Sequence, residues 1–143
     1  MSALAADPDR ALRRALAASV LYNLSGSLGF LVPEPIGRWI GFPTPVPRLY
    51  PSLIAMVVLL FAAVYAWLYR ARVIDRSLVA LSALGKTGFF AVFAGAWWAG
   101  QVPLRAVLAV SGDLAFAVVF AGWLVRTRRV PLRTPELSPA CGR

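Results

Sequence analysis

The chain divides into four long runs in which polar side chains are rare, roughly residues 15–32, 49–69, 77–100 and 104–125, separated by stretches that collect arginine and proline. Each run is close to the roughly 20 residues an α-helix needs to cross about 30 Å of hydrocarbon at about 1.5 Å per residue. The apolar residues are continuous and rich in alanine and leucine rather than alternating, which argues for helices and against the strands of a transmembrane barrel. The pattern therefore predicts an all-α protein, an integral-membrane antiparallel four-helix bundle. A cytoplasmic lead (1–14) precedes it and a disordered cytoplasmic tail (126–143) follows.

The breaks between runs refine this. In the lead, Asp7 is placed to cap a helix with Pro8 at its first position, where the missing amide costs nothing. The first run ends in "FLVPEPIG" without a small-x-small cleavage site, so it reads as an uncleaved first span. The next connection has five prolines between Pro33 and Pro47. Its middle, Ile36 to Phe42, suits either a stiff loop or an interfacial segment that acts as a lid over an outward-facing mouth. The second run ends in "YAWLYRAR", which reads as an aromatic belt of Tyr65, Trp67 and Tyr69 followed by arginine anchors. "RARVIDR" leaves room only for a tight turn, making spans two and three antiparallel neighbours, and "GQVPLR" does the same for spans three and four.

Charge adds an orientation. The formal net charge is +9, from 14 arginines, one lysine and six acids. With four spans both termini share a side, and that side collects eleven arginines against Arg38, Arg48 and Arg105 on the other. By the positive-inside rule both termini are cytoplasmic, and the excess charge is in second place a contact surface for the headgroups of membrane lipids. No basic soluble module is present to bind nucleic acid. The single cysteine, Cys141, and the absence of histidine leave no disulfide and no thiolate or imidazole metal site, so no cofactor is expected.

Against this apolar background the lone lysine stands out. Lys86 lies ten residues past Arg76, about 15 Å into the third run, and Asp113 thirteen residues before Arg126, about 20 Å into the fourth. Asn23 is about 14 Å deep in the first run, on a four-residue stripe with Ser19 and Ser27, and Ser82 precedes Lys86 by one turn. An isolated charge at the centre of a membrane helix costs about 2.5 to 3.5 kcal/mol, so pairing is the expected relief. Phe89, Phe90, Phe93 and Trp97 after Lys86, and Phe116 and Phe120 after Asp113, offer aromatic walls. Two readings stay open. Lys86 and Asp113 form a structural ion pair with Asn23 completing it, or the set lines a cavity that holds a ligand or exchanges protons. A contact between two copies of the chain is a third. A compact ammonium where every other cation is arginine leans toward a specific fit. A further pattern, "GSLGF" at 26–30 and "GKTGF" at 85–89, repeats G-x-x-G-F at similar depth, as a duplicated helical hairpin would.

The four-span layout, the "FLVPEPIGRWIGFP" connection and the "GKTGFF" and "GDLAFAVVF" helices resemble small bacterial membrane proteins of the DoxX-like type over residues 20–125. The resemblance implies a four-helix inner-membrane bundle and supplies no catalytic residues. The expected role is non-enzymatic, an accessory or scaffold protein or a binder of a small lipophilic molecule, acting alone, as a homo-oligomer or with a membrane partner subunit. The alternatives are a subunit of an oligomeric small-molecule or proton-coupled transporter, and a membrane enzyme acting on a lipid or quinone-like substrate with Lys86 or Asp113 as acid or base.

Overall fold

The computed structural model describes residues 7–41 and 45–129; the remaining positions, Phe42 and Cys141 among them, lie outside it. The described residues are all-helical: α1 (Pro8–Leu31), α2 (Pro33–Ile40), α3 (Leu49–Arg70), α4 (Arg76–Trp98), α5 (Leu104–Ala109) and α6 (Ser111–Arg126), closed by a 3₁₀ turn at Thr127–Arg129. Helices α3 and α4 are long and apolar enough to cross a membrane, with mean hydropathies of 2.2 and 1.6 over 18 residues.

Polar residues at the run boundaries set the helix ends. Asp7 caps α1 by accepting from the Asp9 amide at 3.1 Å, with Pro8 opening the helix. Asp75 caps α4 through the amides of Ser77 (2.8 Å) and Leu78 (3.2 Å). Two arginines close the far ends of neighbouring helices. Arg13 of α1 donates to the carbonyls of Tyr69 and Ala71 (2.8 Å to the latter) at the end of α3. Arg76 of α4 donates to the Leu124 carbonyl at 2.9 Å and to the Thr127 hydroxyl at the end of α6. These cations meet carbonyls that a helix C-terminus leaves unpaired, and they tie the four long segments together at one end. Trp123 adds to the tie by donating its indole N–H to Asp9 at 2.8 Å.

Helix α1 packs along α3 and α4 along α6, with α1 also touching α6. Each helix turns a narrow stripe inward: Leu12, Leu16, Ser19, Asn23 and Ser27 on α1, Val79, Ser82 and Lys86 on α4, and Asp113, Ala117, Phe120 and Trp123 on α6. The tied end has an apolar core of Leu12, Leu16, Tyr65, Leu68, Val79, Phe120 and Trp123. Further along, the inward residues become polar while the outward ones stay apolar, among them Leu21, Leu28, Leu53, Leu60, Leu84 and Val118.

At the opposite end α2 folds back over the α1 terminus. Ile36 reaches the space beside Gly29, 3.5 Å from where a Cβ would stand. Gly41 ends α2 with φ +89°, and a Cβ there would lie 2.7 Å from Arg105 Nε, so both conformation and space require glycine. Arg105 donates to the Ile40 carbonyl at 3.2 Å and docks α2 on α5.

Four expectations need correction. The fourth run is two helices broken at Val110. Spans two and three are joined by a short turn yet share little contact, because space opens between α3 and α4 beyond it. Tyr65 is not part of an interfacial belt: it is 1% exposed, whereas Trp67 and Tyr69 are 73% and 47% exposed. Trp67 lies about 200° around the helix from Tyr65, and Tyr69, on the Tyr65 face, is exposed at the end of α3 beyond the core. Finally, the start of the expected tail is ordered, since Arg126 belongs to α6 and residues 127–129 continue as a 3₁₀ turn.

Candidate functional site

The inward stripes of α1, α4 and α6 bring Asn23, Lys86 and Asp113 to one point. Lys86 Nζ donates to Asp113 Oδ1 at 2.6 Å and to Asn23 Oδ1 at 3.1 Å. Asn23 in turn donates through Nδ2 to the Val58 carbonyl on α3 at 3.1 Å. All three residues are buried, so each removes a desolvation penalty that another would otherwise carry. The ammonium also sits among aromatic rings, 5.3 Å from the centre of Tyr22 and 5.1 Å from those of Tyr65 and Phe116, within the range of cation–π attraction.

The break at Val110 is part of the construction. It places Asp113 in the first turn of α6, with its amide bonded to the Val110 carbonyl at 3.0 Å, where unpaired amides and the helix dipole favour a carboxylate. The Ala109 carbonyl at the break accepts from the Tyr22 hydroxyl at 3.0 Å. Gly112 makes room for that contact, because a Cβ there would lie 2.7 Å from the Tyr22 ring.

The trio faces a cavity of about 620 Å³ lined by α1, α3, α4 and the α5–α6 break, with Ile36 and Ile40 of α2 at its outer end. Lys86 and Asp113 are the charged residues of a lining that is otherwise mostly apolar. Leu53, Val57 and Val92, all exposed, belong to that lining, so the cavity opens sideways between α3 and α4. A second space of about 620 Å³ adjoins it through Gly29, Phe30, Ile54 and Val92 and continues toward Glu34 and Arg48.

The repeated G-x-x-G-F pattern meets here. Gly26 and Gly29 from α1, and Gly85 and Gly88 from α4, all line the cavity, while Phe30 and Phe89 meet edge to face with centroids 6.4 Å apart. A Cβ added at Gly26 or Gly88 would touch nothing within 4 Å. The missing side chains are thus part of the cavity volume.

The serines behave differently from the trio. Ser82 and Ser27 are buried but donate to their own helices, at Leu78 (2.7 Å) and Leu24 (2.8 Å). Ser19 is buried with its hydroxyl unpartnered. Of the aromatics proposed as walls, Phe116 faces the ammonium, Phe89 lines the cavity and Phe120 joins the core. Phe93 lines the adjoining space, and Trp97 is 42% exposed. The sequence reading missed Tyr22 and Tyr65. Tyr22 had a signal, since it directly precedes Asn23 in a membrane-length run and its hydroxyl needs a partner there.

Comparison with protein-family models, curated proteins and solved structures returns no match to this chain.

Proposed function

We propose that this chain is a multi-pass inner-membrane protein that binds a small lipophilic molecule in the cavity above Lys86, Asp113 and Asn23. In this reading α1, α3, α4 and the α5–α6 pair are four spans, both termini are cytoplasmic, and the layout belongs with the DoxX-like proteins it resembles. The observation that carries it is the juxtaposition of a buried, hydrogen-bonded charge pair with an apolar cavity of about 620 Å³, within the size range of small-molecule sites.

Three features support the membrane setting. The outward faces of α1, α3, α4 and α6 are apolar while buried polar groups sit inside, the reverse of a soluble helical core. A helix broken at Val110 is compatible with membrane depth where its free carbonyl is taken by protein, as Tyr22 does, and where the break lines a cavity. The opening between α3 and α4 is edged with apolar residues, as an entrance from the bilayer requires. Binding is favoured over passage because the tied end beneath the trio is filled by Tyr65, Phe120, Leu68 and Leu16, each less than 2% exposed.

The test is mass spectrometry of lipophilic molecules extracted with purified wild type and with Gly26→Leu. Leucine at 26 replaces a helix-interior glycine where an added Cβ meets open space, and an unchanged melting temperature is the check that the variant folds. A compound retained by wild type and lost from the variant is expected. Identical extracts would remove the support for a ligand cavity.

A further inference from the structure

Given the lipophile-binding cavity proposed above, we infer that its ligand is a neutral molecule headed by a hydroxyl group, which accepts from Lys86 or Asn23 and donates to Asp113.

Charge balance opposes an ionised head. Lys86 and Asp113 neutralise each other at 2.6 Å, and among the described residues no other charged side chain lines this cavity, Glu34 and Arg48 belonging to the adjoining space. A carboxylate or phosphate drawn to Lys86 would share one ammonium with Asp113 and leave the apolar site with an excess negative charge, which is costlier than the bond gained. A cationic head meets a second obstacle. Rings of the kind that hold ligand ammonium groups are present, but Tyr22, Tyr65 and Phe116 already surround the chain's own ammonium at 5.1 to 5.3 Å.

The remaining hydrogen-bonding capacity points to the hydroxyl. An ammonium has three N–H donors, and two are spent on Asp113 and Asn23. The Asn23 amide has a second N–H beyond the one given to Val58. The carboxylate of Asp113 has a second oxygen beyond the one held by Lys86. The free set therefore contains donors and an acceptor together. A ketone or ester satisfies only the donors and leaves the second carboxylate oxygen bare once the ligand has displaced water. A hydroxyl serves both, and its apolar remainder extends along Gly26, Gly88 and Phe89 toward the opening.

The probes are 1-undecanol, 2-undecanone, undecanoate and undecylamine, added at equal membrane mole fractions to the full-length chain in lipid nanodiscs, with thermal unfolding as readout. Gly26→Leu and Gly88→Leu serve as cavity-filled controls, each accepted only if its ligand-free melting temperature matches wild type. The expected result is saturable stabilisation by undecanol, on the order of five-fold tighter than undecanone, no stabilisation by the two ionised probes, and loss of the effect in the controls. Equal or stronger stabilisation by undecanone overturns the hydroxyl assignment. Stabilisation by undecanoate or undecylamine that the controls abolish overturns neutrality but leaves the cavity as a binding site. If no probe has an effect that the controls abolish, the cavity reading itself falls.

Discussion

At the scale of single residues, the Lys86–Asp113 pair is the feature most directly legible in the sequence. Two opposite charges at similar depth in two apolar helices offset each other's burial, so depth counting pointed to the pair that the structure brings together, while a ligand site and a contact between copies stayed open beside it. The third member, Asn23, followed from the same count, although its bond to the Val58 carbonyl did not, because no sequence pattern marks which backbone carbonyl a side chain will reach. The serines show the limit of the method: sharing a helix face with the trio put Ser19, Ser27 and Ser82 inside, yet Ser27 and Ser82 bond their own helices and the Ser19 hydroxyl has no partner, because so short a side chain does not cross to another helix. The pair also sets a stability pattern. Lys86→Met and Asp113→Asn should each destabilise the protein by about 3 to 5 kcal/mol, since each leaves a buried polar group unpaired, whereas the double variant should recover most of that loss. Thermal unfolding in one detergent for all four proteins checks this. Additive losses in the double variant would mean that the two side chains do not depend on each other. Retained lipophile binding in the folded double variant would separate the cavity from its polar floor.

At the scale of elements, helix existence was readable and helix continuity was not. Runs of apolar residues identified all the long segments, and the Asp7-Pro8 pair located the start of α1. The break at Val110 has no proline to announce it; its cause is tertiary, a tyrosine from α1 that takes the Ala109 carbonyl and a carboxylate that gains from lying in a first turn. The only local sign is Gly112, between Ser111 and Asp113. The break should therefore depend on Tyr22 and Gly112 as a unit. Tyr22→Phe removes one hydrogen bond and should cost about 1 kcal/mol, while Gly112→Ala displaces the same ring and should cost about 1 to 3 kcal/mol. Because the second change already breaks the first bond, the combined variant should be little worse than Gly112→Ala alone. Full additivity in thermal unfolding would show that Gly112 acts elsewhere. The turn between α3 and α4 carries a related lesson: its length says that the helices are connected, not that they pack, and the cavity between them comes from glycines and from Phe61 standing against Gly85.

At the scale of the whole molecule, the proposed four crossings rest on packing as well as on hydropathy. Only α3 and α4 pass a test of length and apolarity among the described residues. Helix α1 carries charges at its start and Asn23 within it, and the fourth run is divided. Yet α5 and α6, of 6 and 16 residues, laid end to end equal the 22 residues of α3. Helix α1 also packs along α3 more extensively than any other pair. In the proposed membrane setting, the exposed leucines of α1 and its packing along α3 favour four crossings. The two models place the chain differently. With four crossings residues 101 and 141 lie on opposite sides; if only α3 and α4 cross, they share one. The single native thiol makes this measurable in spheroplasts with a membrane-impermeant maleimide. Cys141 in the wild type should label only after the membrane is permeabilised, whereas Cys141→Ser combined with Gln101→Cys should label at once. Equal labelling of both proteins would reduce the spanning part to α3 and α4. Exchanged labelling would keep four crossings but reverse the orientation that the arginines assign, and with it the side on which α2 covers the cavity.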